Sequence, residues 1–271
     1  NIYIVVPVYG RLELTKKLYS SFDNENYNIV FIVVDDDEIN NENFLYFSSL
    51  GKNNVVPLRT KGNAWWCGTT RVGIDWLFDC SKITDDDIVV IANNDAFLPN
   101  GQLTKIIDEV DYNIIAHPRT FSGKGIEISS GCRVKCWFPF ITHHPLGKLD
   151  YEKTPIDLCT ARFMCMRYST LSKIGNISDN LVQYHGDFDF TLRAKNIGIQ
   201  SYILKNSKCI VNDEENGEDA DKGTQTKSLI KAFQSLTSVR SPNNISSKYV
   251  FLRNHFNRQQ SFFITISMTL N

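Results

Sequence analysis

The sequence predicts an α/β fold with a mainly parallel central sheet, a small antiparallel sheet and helices towards the C-terminus. In the first half, apolar β-branched runs alternate with segments of helical spacing, which is the pattern of βαβ units. In the second half the apolar runs are shorter and less regular, as in antiparallel strands. The 271 residues suit one domain with at most a small appendage, and 42% apolar and 22% charged residues are typical of soluble globular proteins.

The first half contains apolar runs that read as buried strands, separated by segments in which apolar residues recur at helical spacing. The predicted strands are Ile2–Val8, Ile29–Val34, Val55–Leu58, Ile88–Ala92 and Ile114–Ala116. The predicted helices are Leu12–Phe22, Phe44–Leu50, Ala64–Phe78 and Gly101–Val110. Strands that alternate with helices are joined by right-handed crossovers, so we expect these strands to be parallel.

The second half mixes strands, helices and polar loops. The predicted elements are an antiparallel segment at Gly125–Trp137, a loop containing His143 and His144, a strand at Leu158–Met166, a helix ending at Ile174, a helix at Phe188–Asn196, short strands at Ser201–Leu204 and Cys209–Val211, an acidic mobile loop at Asn212–Gly223, and helices at Thr224–Val239 and Lys248–Phe263. This order places helices after the last strands.

Charge and cysteine content exclude several classes of protein. A net charge of −1 argues against a broad nucleic-acid surface. The seven cysteines form no CxxC pair, which favours buried reduced thiols over a zinc site. No apolar run approaches the roughly 20 residues that span a bilayer, and Asn1–Tyr9 reads as a strand rather than a signal peptide. The apolar Ser261–Ile266 is expected to dock on the domain, with peripheral membrane contact as the alternative.

Polar clusters follow the first four predicted strands. They are Pro7–Arg11, Asp35–Glu38, Arg59–Asn63 and Asn93–Asp95. The carboxyl ends of parallel strands meet at one edge of a sheet, where open α/β sheets bind ligands. The sequence therefore predicts a ligand site at this edge.

Asp95 follows a fully apolar strand. A carboxylate in that position can hold a hard divalent cation that bridges diphosphate oxygens. Asn93 or Asn94 would add an amide or carbonyl oxygen. The alternative is an Asn-Asp turn that only terminates the strand.

Asp35 and Asp36 end the second predicted strand. Their carboxylates can accept hydrogen bonds from a nucleobase imide or from ribose hydroxyls. A solvated acidic turn explains the same residues equally well.

Asp187 stands near the start of a predicted helix, where free backbone N–H groups stabilise a carboxylate. Facing a cleft, it could act as a general base; otherwise it is an N-cap. Asp189 and Arg193 are four residues apart and are expected to form an ion pair along the helix.

Trp65 and Trp66 come at a loop-to-helix turn and could stack on a sugar or base, or simply belong to the core.

In order along the chain, these motifs resemble the family-2 inverting glycosyltransferases of the GT-A fold. The resemblance covers residues 2–212. It rests on Ile4–Arg11, Val33–Asp36, Gly62–Gly68, Asn93–Asp95, Ala161–Met164 with Ile174-Gly175, and Gly186–Asp189. The Trp-Trp form of the third motif is similar to a bacterial branch that includes rhamnosyltransferase-like proteins.

The resemblance implies a role for each matching residue. The catalytic base would be Asp187. The nucleotide-sugar donor would be bound by Pro7, Val8, Tyr9, Arg11, Asp35, Asp36, Gly62, Asn63, Trp66, Asn94 and Asp95. The metal would be held by Asp95, Asn93 and Asp213, and the acceptor by Trp65, His185 and Gly186.

The chain departs from the family pattern at two positions. Asn93 replaces the first carboxylate of the Asp-x-Asp metal motif, and Gly186 replaces a Glu beside the base. The late histidine that often completes the metal site in the family is also missing, and Asn212 or Asp213 occupies that stretch.

The resemblance implies a GT-A domain at residues 1–223 and a helical extension at 224–271. Residues 1–117 would form the nucleotide-sugar half and residues 118–223 the acceptor half. The protein would move a sugar from a UDP- or dTDP-sugar to an acceptor hydroxyl, with Mn²⁺ or Mg²⁺, during polysaccharide or glycoconjugate synthesis. The acceptor would be a glycan or a lipid-linked glycan, and the protein would work in the cytoplasm or at the inner face of the membrane.

Other functions remain to be weighed against this one. A catalytically impaired relative or a carbohydrate-binding module would explain Asn93 and Gly186. A nucleotidyltransferase or a dinucleotide-dependent dehydrogenase would need a glycine-rich loop after the first strand, and Tyr9-Gly10-Arg11 does not provide one. The leading hypothesis makes one spatial demand, which is that Asp35, Asp36, Asp95 and Asp187 surround a single pocket.

Overall fold

The chain alternates strands and helices through its first half, as its apolar runs predict. The computed structural model describes residues 1–22, 27–137, 140–145, 149, 151–212 and 229–270. The strands are β1 (Ile2–Val8), β2 (Ile29–Asp35), β3 (Val55–Arg59), β4 (Ile88–Ala92), β5 (Ala96–Phe97), β6 (Ile114–Ser122), β7 (Glu127–Ile128), β8 (Gly131–Trp137), β9 (Phe140–Pro145), β10 (Lys153–Ile156), β11 (Leu158–Cys159), β12 (Phe163–Arg167) and β13 (Gln200–Val211). The helices are α1 (Leu12–Ser20), α2 (Glu42–Ser49), α3 (Trp65–Asp79), α4 (Gln102–Ile107), α5 (Tyr168–Ile174), α6 (Gly186–Asn196), α7 (Leu229–Thr237), α8 (Ile245–His255) and α9 (Arg258–Leu270).

The central sheet has the strand order β10-β13-β6-β12-β4-β1-β2-β3. Strands β4, β1, β2 and β3 are mutually parallel, whereas β12 lies antiparallel to β4. A separate antiparallel sheet has the order β11-β8-β9. The predicted combination of a mostly parallel central sheet with a small antiparallel sheet is confirmed.

Two apolar cores lie on opposite faces of the central sheet, because successive strand residues point to opposite sides. One core joins Ile4 and Val6 of β1 to residues of α1, α2 and α4 such as Leu18 and Phe47. The other joins Val5 of β1 to residues of α3, α5, α6, α8 and α9. The C-terminal helices α8 and α9 are therefore part of the main core.

Several predicted boundaries in the second half were wrong. The predicted strand Leu158–Met166 is two strands, β11 and β12, separated by a turn. The predicted strands Ser201–Leu204 and Cys209–Val211 are one strand, β13, with a register shift between Leu204 and Lys208. His143 and His144 lie in strand β9 rather than in a loop.

The C-terminal helices also differ from the prediction. The predicted helix Lys248–Phe263 is two helices, α8 and α9. The break falls at residues 256–257, where the Asn257 side chain accepts a hydrogen bond from the backbone N–H of Gln260 at 2.9 Å and so begins a new helix. Helix α7 lies within the predicted Thr224–Val239, whose first residues, like most of the predicted acidic loop Asn212–Gly223, are outside the described residues.

Within the described ranges, no helix is both long and apolar enough to cross a membrane. The described cysteines are free thiols, and five of the six are buried: Cys67, Cys132, Cys159, Cys165 and Cys209. This agrees with the expectation of buried thiols.

Candidate active site

The loops that follow β1, β2, β3 and β4 lie side by side at one edge of the sheet. Val8 pairs with Asp35, and Asp35 pairs with Arg59, so these strands end at the same level. Strand β4 runs parallel on the other side of β1. The polar clusters predicted to share one edge therefore do so.

The loop after β1 exposes one aromatic side chain. Pro7 and Val8 are buried within the strand, whereas Tyr9 is 65% exposed at the rim. Gly10 and Arg11 both have positive φ, and the Gly10 carbonyl accepts a hydrogen bond from the Asn43 side chain at 2.8 Å. Tyr9 is thus the part of this motif that can touch a ligand through its ring.

Asp35 is buried, and its carboxylate is held by the loop that follows β2. It accepts hydrogen bonds from the backbone N–H groups of Asp37 and Phe44, each at 3.0 Å. Burial raises the pKa of Asp35, although these two N–H donors oppose the rise.

Asp36 connects the end of β2 to the start of α3. Its carboxylate accepts hydrogen bonds from the backbone N–H groups of Ala64 at 3.0 Å and Trp65 at 2.8 Å, and from the Thr60 hydroxyl. The Asp36 carboxylate thus accepts hydrogen bonds from backbone N–H groups at the start of α3 that have no partner within the helix. Asp35 and Asp36 both hold loops in place at the rim, and their predicted contacts with base and ribose stay predictions.

The turn into α3 has an unusual backbone. Gly62, Asn63 and Trp65 all have positive φ, which is uncommon for a residue as bulky as tryptophan. A Cβ on Gly62 would also lie 2.9 Å from Oε2 of the exposed Glu38 side chain, which can move aside, so the glycine is favoured mainly by its positive φ. This turn brings Trp66 to the sheet edge.

Trp66 connects three loops. Its indole N–H donates to Oδ1 of Asn93 at 3.0 Å, and its backbone N–H donates to Oε1 of Gln183 at 2.9 Å. The next residue, Cys67, donates its backbone N–H to the carbonyl of Val182 at 2.9 Å. The start of α3 therefore joins the end of β4 to the loop before α6.

The segment Asn93–Asp95 turns away from the end of β4. The side chain of Asn94 donates to Thr15 of α1 at 3.2 Å, and the Asp95 carbonyl accepts from the backbone N–H of Asn212 at 2.9 Å. Asn212, which directly follows β13, therefore lies beside Asp95. Asp213, predicted as a metal ligand, lies outside the described residues.

The predicted metal site is a set of oxygen donors. No group of three or more His, Cys, Asp or Glu gathers around one point in the described part of the chain. One carboxylate, Asp95, and one amide, Asn93, suit Mg²⁺ or Mn²⁺ bound together with diphosphate oxygens and water, as hard cations prefer. The residues fit a cation that arrives with its nucleotide better than a preformed protein cage.

Asp187 lies in the first turn of α6. One of its oxygens accepts from the backbone N–H of Ala161 at 3.2 Å and the other from that of Phe188 at 2.9 Å. Burial raises the pKa of Asp187 to about 6, although the backbone donors and nearby Arg162 act in the opposite direction. A carboxylate with a pKa near the working pH is suited to general base catalysis.

Asp187 and Asn93 both contact the short segment Ala161-Arg162, which directly precedes β12. The backbone N–H of Asn93 donates to the carbonyl of Arg162 at 3.3 Å, and the adjacent Ala161 donates to Asp187. Two consecutive residues therefore contact both the proposed metal motif and the proposed base. These contacts bring Asp187 near Asn93, whereas the convergence of Asp35, Asp36, Asp95 and Asp187 on one pocket stays a prediction.

Gly186 packs against the start of α3. A Cβ on Gly186 would lie 2.5 Å from Sγ of Cys67 and 3.1 Å from Cζ3 of Trp66. This close approach explains why glycine replaces the glutamate of the resembled family: the space for a side chain is filled by the Trp66-Cys67 pair.

His185 faces the C-terminal helices. Its Nδ1 lies 2.9 Å from the Ser247 hydroxyl, and its ring stacks on Phe251 of α8 with centroids 5.4 Å apart. Burial lowers the pKa of His185 to about 4, so the ring is neutral at physiological pH. Its contacts position α6 on α8, and an acceptor contact stays a prediction.

The predicted ion pair between Asp189 and Arg193 is confirmed, with Nε and Oδ2 2.9 Å apart. The buried Asp189 also accepts hydrogen bonds from Ser178, Asn254 and His255. Burial alone would raise the pKa of Asp189, but these hydrogen bonds hold it well below its usual range.

Sequence reasoning missed the residues that connect the motifs. Arg162 and Gln183 touch the site mainly through backbone contacts or a single amide, and neither belongs to a motif with an assigned role. His255 and Asn254 reach Asp189 from 65 residues or more away in sequence, and no local pattern signals such a contact.

Comparisons with known proteins bear on the fold and on the class of protein. No protein-family model matches the chain. The chain is 21% identical over 218 residues to "Rhamnosyltransferase WbbL" of Escherichia coli K12, which covers 75% of this chain and 80% of that protein.

Solved structures of glycosyltransferases have the same fold. GalNAc-T7 with UDP, GalNAc and Mn²⁺ matches with a TM-score of 0.63 at 12% identity, covering 78% of this chain and 44% of that chain. S. aureus TarS 1–349 with UDP-GlcNAc matches with a TM-score of 0.57 at 14% identity, covering 97% and 75%. The mannosyltransferase PcManGT from Pyrobaculum calidifontis with GDP-Man and Mn²⁺ matches with a TM-score of 0.55 at 9% identity, covering 98% and 73%. The chain spans less than half of GalNAc-T7 and of full-length TarS, and it has the GT-A fold.

Proposed function

We propose that the protein is an inverting glycosyltransferase that moves a sugar from a nucleotide-diphosphate donor to an acceptor hydroxyl in polysaccharide or glycoconjugate synthesis. The observation that carries the proposal is Asp187, a carboxylate with its pKa raised to about 6, beside the Asn93–Asp95 segment at the carboxyl edge of the sheet. The rhamnosyltransferase relative and the sugar-nucleotide complexes among the structural neighbours support the substrate class.

In the proposed reaction, Asp187 takes the proton of the acceptor hydroxyl as its oxygen attacks the anomeric carbon. A new C–O bond forms on one face of the sugar, and the bond to the diphosphate oxygen breaks on the opposite face. The electron pair of that bond leaves with the nucleoside diphosphate, and the configuration inverts. A single base on the acceptor side suffices for this displacement.

The leaving group carries away negative charge that must be stabilised. A divalent cation, Mn²⁺ or Mg²⁺, would supply that stabilisation when bound by Asp95 and Asn93, with Asp213 as a further ligand in the proposal. The indole of Trp66 donates to Oδ1 of Asn93 at 3.0 Å and so restricts the orientation of this amide.

We assign the remaining site residues by their place around this pocket. Tyr9 and Arg11, Asp35 and Asp36, and the turn at Gly62-Asn63 would surround the nucleotide. Trp65 and the segment His185-Gly186 would border the acceptor, a glycan or a lipid-linked glycan. UDP- and dTDP-sugars are the proposed donors, and the cytoplasm or the inner membrane face the proposed location.

One observation favours a second candidate. Asn93 and Gly186 remove two of the carboxylates found in the resembled family, as a catalytically impaired relative or sugar-binding module would. The filled space at Gly186 gives one of these changes a steric reason. We therefore rank the enzyme first.

The test is incubation with a panel of UDP-, dTDP- and GDP-sugars and Mn²⁺, followed by NMR of the anomeric proton in the product. The proposal expects the released or transferred sugar to have the configuration opposite to that of the donor. Thermal shifts with nucleoside diphosphates would show binding, since a ligand that binds the native state raises its stability, and turnover would then separate the two candidates. Binding without turnover of any donor would favour the second candidate, and retention of configuration would overturn the mechanism.

A further inference from the structure

The C-terminal helices expose an unusual number of large apolar side chains. Phe233 of α7 is 70% exposed, Phe262 and Phe263 of α9 are 54% and 51% exposed, and Ile245 and Ile266 are 37% and 42% exposed. We call these five residues the C-terminal apolar face. Isolated apolar side chains are common on protein surfaces, but an extended patch of this kind marks an interaction site.

Helix α9 buries Ile264 in the core but also buries two hydroxyl residues while exposing two phenylalanines. The hydroxyl residues Ser261 and Thr265 are 0% and 5% exposed, whereas two phenylalanines on the same helix face outwards. The buried hydroxyls donate to carbonyls of their own helix, Ser261 to Asn257 at 2.9 Å and Thr265 to Ser261 at 2.7 Å. Burying these groups is thus inexpensive, but water does not favour exposing the phenyl rings.

The face is continuous across the three helices. Phe262 and Ile266 line a groove of about 560 Å³ between α7, α8 and α9, together with Ile245 and Tyr249. The ring of Phe263 contacts that of Phe262, with centroids 5.6 Å apart. Phe233 lies one helical turn before Thr237, which borders the same groove.

The charge of this part of the chain is strongly asymmetric. The 50 residues from Lys222 to Asn271 contain seven Lys or Arg and no Asp or Glu, so they carry +7, while residues 1–221 carry −8. Arg253, in the last turn of α8, and Arg258, at the start of α9, are both exposed. The apolar face could contact lipid acyl chains, and the basic residues around it could contact anionic headgroups. This combination is complementary to the surface of an anionic membrane.

We propose that the C-terminal apolar face docks on an anionic lipid bilayer, with the phenylalanines in the acyl boundary and the arginines at the headgroups. The charge pattern favours this occupant over a second copy of the chain, because two copies would bring two positive segments together. The proposal stands apart from the sugar-transfer site. It concerns peripheral binding and requires no spanning helix.

The test is co-sedimentation of the full chain with vesicles of phosphatidylcholine alone and of an equimolar mixture with phosphatidylglycerol. We expect binding to the mixed vesicles that weakens as salt is raised. The Phe262→Ser/Phe263→Ser double variant should lower the partition coefficient at least about tenfold, because it removes the two aromatic groups that would be buried in the acyl boundary of the bilayer. Arg253→Gln/Arg258→Gln should lower it by about tenfold or more on the mixed vesicles only.

A matched control replaces exposed apolar residues elsewhere. Ile126 and Ile197 are 64% and 54% exposed, and Ile126→Ser/Ile197→Ser should leave vesicle binding unchanged. Circular dichroism and thermal melts of every variant would confirm that it is folded.

Three outcomes would overturn the proposal. They are no binding of the wild-type chain to the mixed vesicles, equal binding by the phenylalanine variant, and equal loss in the isoleucine control. A dimer in analytical ultracentrifugation that the phenylalanine variant converts to a monomer, with no vesicle binding, would assign the face to a second copy instead.

Discussion

At the scale of single residues, the proposed chemistry depends on a carboxylate whose environment sets its proton affinity. Burial of Asp187 disfavours its charged form, and backbone N–H groups and the charge of Arg162 compensate only in part. Asp187 is therefore ionised at neutral pH yet basic enough for the proposed role of general base.

The raised pKa of Asp187 predicts the pH dependence of the reaction. Protonated Asp187 cannot accept the acceptor proton, so kcat/KM should be constant above the pKa and fall about tenfold per pH unit below pH 6. A rate profile from pH 5 to 8 measures this. A profile without any inflection between pH 5 and 7 would contradict the assignment.

The same shift also affects stability. Because the folded-state pKa of Asp187 lies above its ordinary value of 3.8, the native state binds the proton more tightly, and stability is lost as pH rises through about 6. Asp187→Asn should therefore be more stable than the wild-type chain at pH 7.5, by about 1–2 kcal/mol after allowance for partial exposure. Urea unfolding at pH 5 and pH 7.5 would show whether the difference shrinks at the lower pH, as expected.

Gly186 predicts a steric effect. In Gly186→Ala the new Cβ would meet Sγ of Cys67 at 2.5 Å, so we expect a loss of about 1–3 kcal/mol in the free energy of unfolding. Adding Cys67→Ala removes the sulfur atom and should restore part of that loss. Equal stability of Gly186→Ala and the wild-type chain in urea would mean that the helices are less closely packed than described.

Asn93 predicts a change in metal dependence. Asn93→Asp supplies the second carboxylate and can still accept the Trp66 indole hydrogen bond. We expect half-maximal Mn²⁺ stimulation at about tenfold lower concentration, a difference of roughly 1.4 kcal/mol in metal affinity. A metal titration by calorimetry in the presence of nucleoside diphosphate gives a second readout, and unchanged affinity would remove Asn93 from the proposed site.

At the scale of elements, helix α6 is fixed between the sheet and the C-terminal helices. Asp189 accepts hydrogen bonds from α6 itself, from the preceding loop and from Asn254 and His255 at the end of α8. The position of α6, and with it that of Asp187, therefore depends on the buried carboxylate of Asp189.

Replacing the Asp189 carboxylate should weaken the packing of α6 against the end of α8. Asp189→Asn keeps the size but loses the charge that Arg193 pairs with, so we expect a loss of about 2–4 kcal/mol at pH 7. The depressed pKa of Asp189 implies that its contribution is present above pH 4 and disappears as pH falls, so the two chains should converge in acid. The exposed Asp179 provides the control, since Asp179→Asn should change stability by less than about 0.5 kcal/mol.

The sequence predicted elements well where they are buried on both faces. Strands β1 and β4 were predicted with their observed bounds. Each is an unbroken apolar run flanked by polar residues, so the change in polarity marks both ends of the strand. Strand β13 was divided because Lys205 and Asn206 are exposed at its irregular centre. Strand β9 was missed because its His143-His144-Pro145 sequence resembles a loop.

At the scale of the whole molecule, the site is assembled from loops of the parallel sheet and from β12 and α6. The shared edge of β1–β4 could be predicted from strand order alone. The place of Asp187 could not, because β12 joins the sheet antiparallel to β4 and the bonds through Ala161 and Arg162 are backbone contacts. Family resemblance alone suggested a role for Asp187, and that role stays a proposal.

The central claim is that Asp187 deprotonates an acceptor hydroxyl that attacks a sugar donor bound at the sheet edge beside Asp95, and one comparison tests it most directly. Donor turnover and donor binding would be measured side by side for the wild-type chain, Asp187→Asn and the control Asp179→Asn. The account predicts that Asp187→Asn loses at least about 10²-fold in kcat while its Kd for nucleoside diphosphate changes little, and that the control behaves as wild type. Full turnover in Asp187→Asn, with donor binding intact, would contradict it.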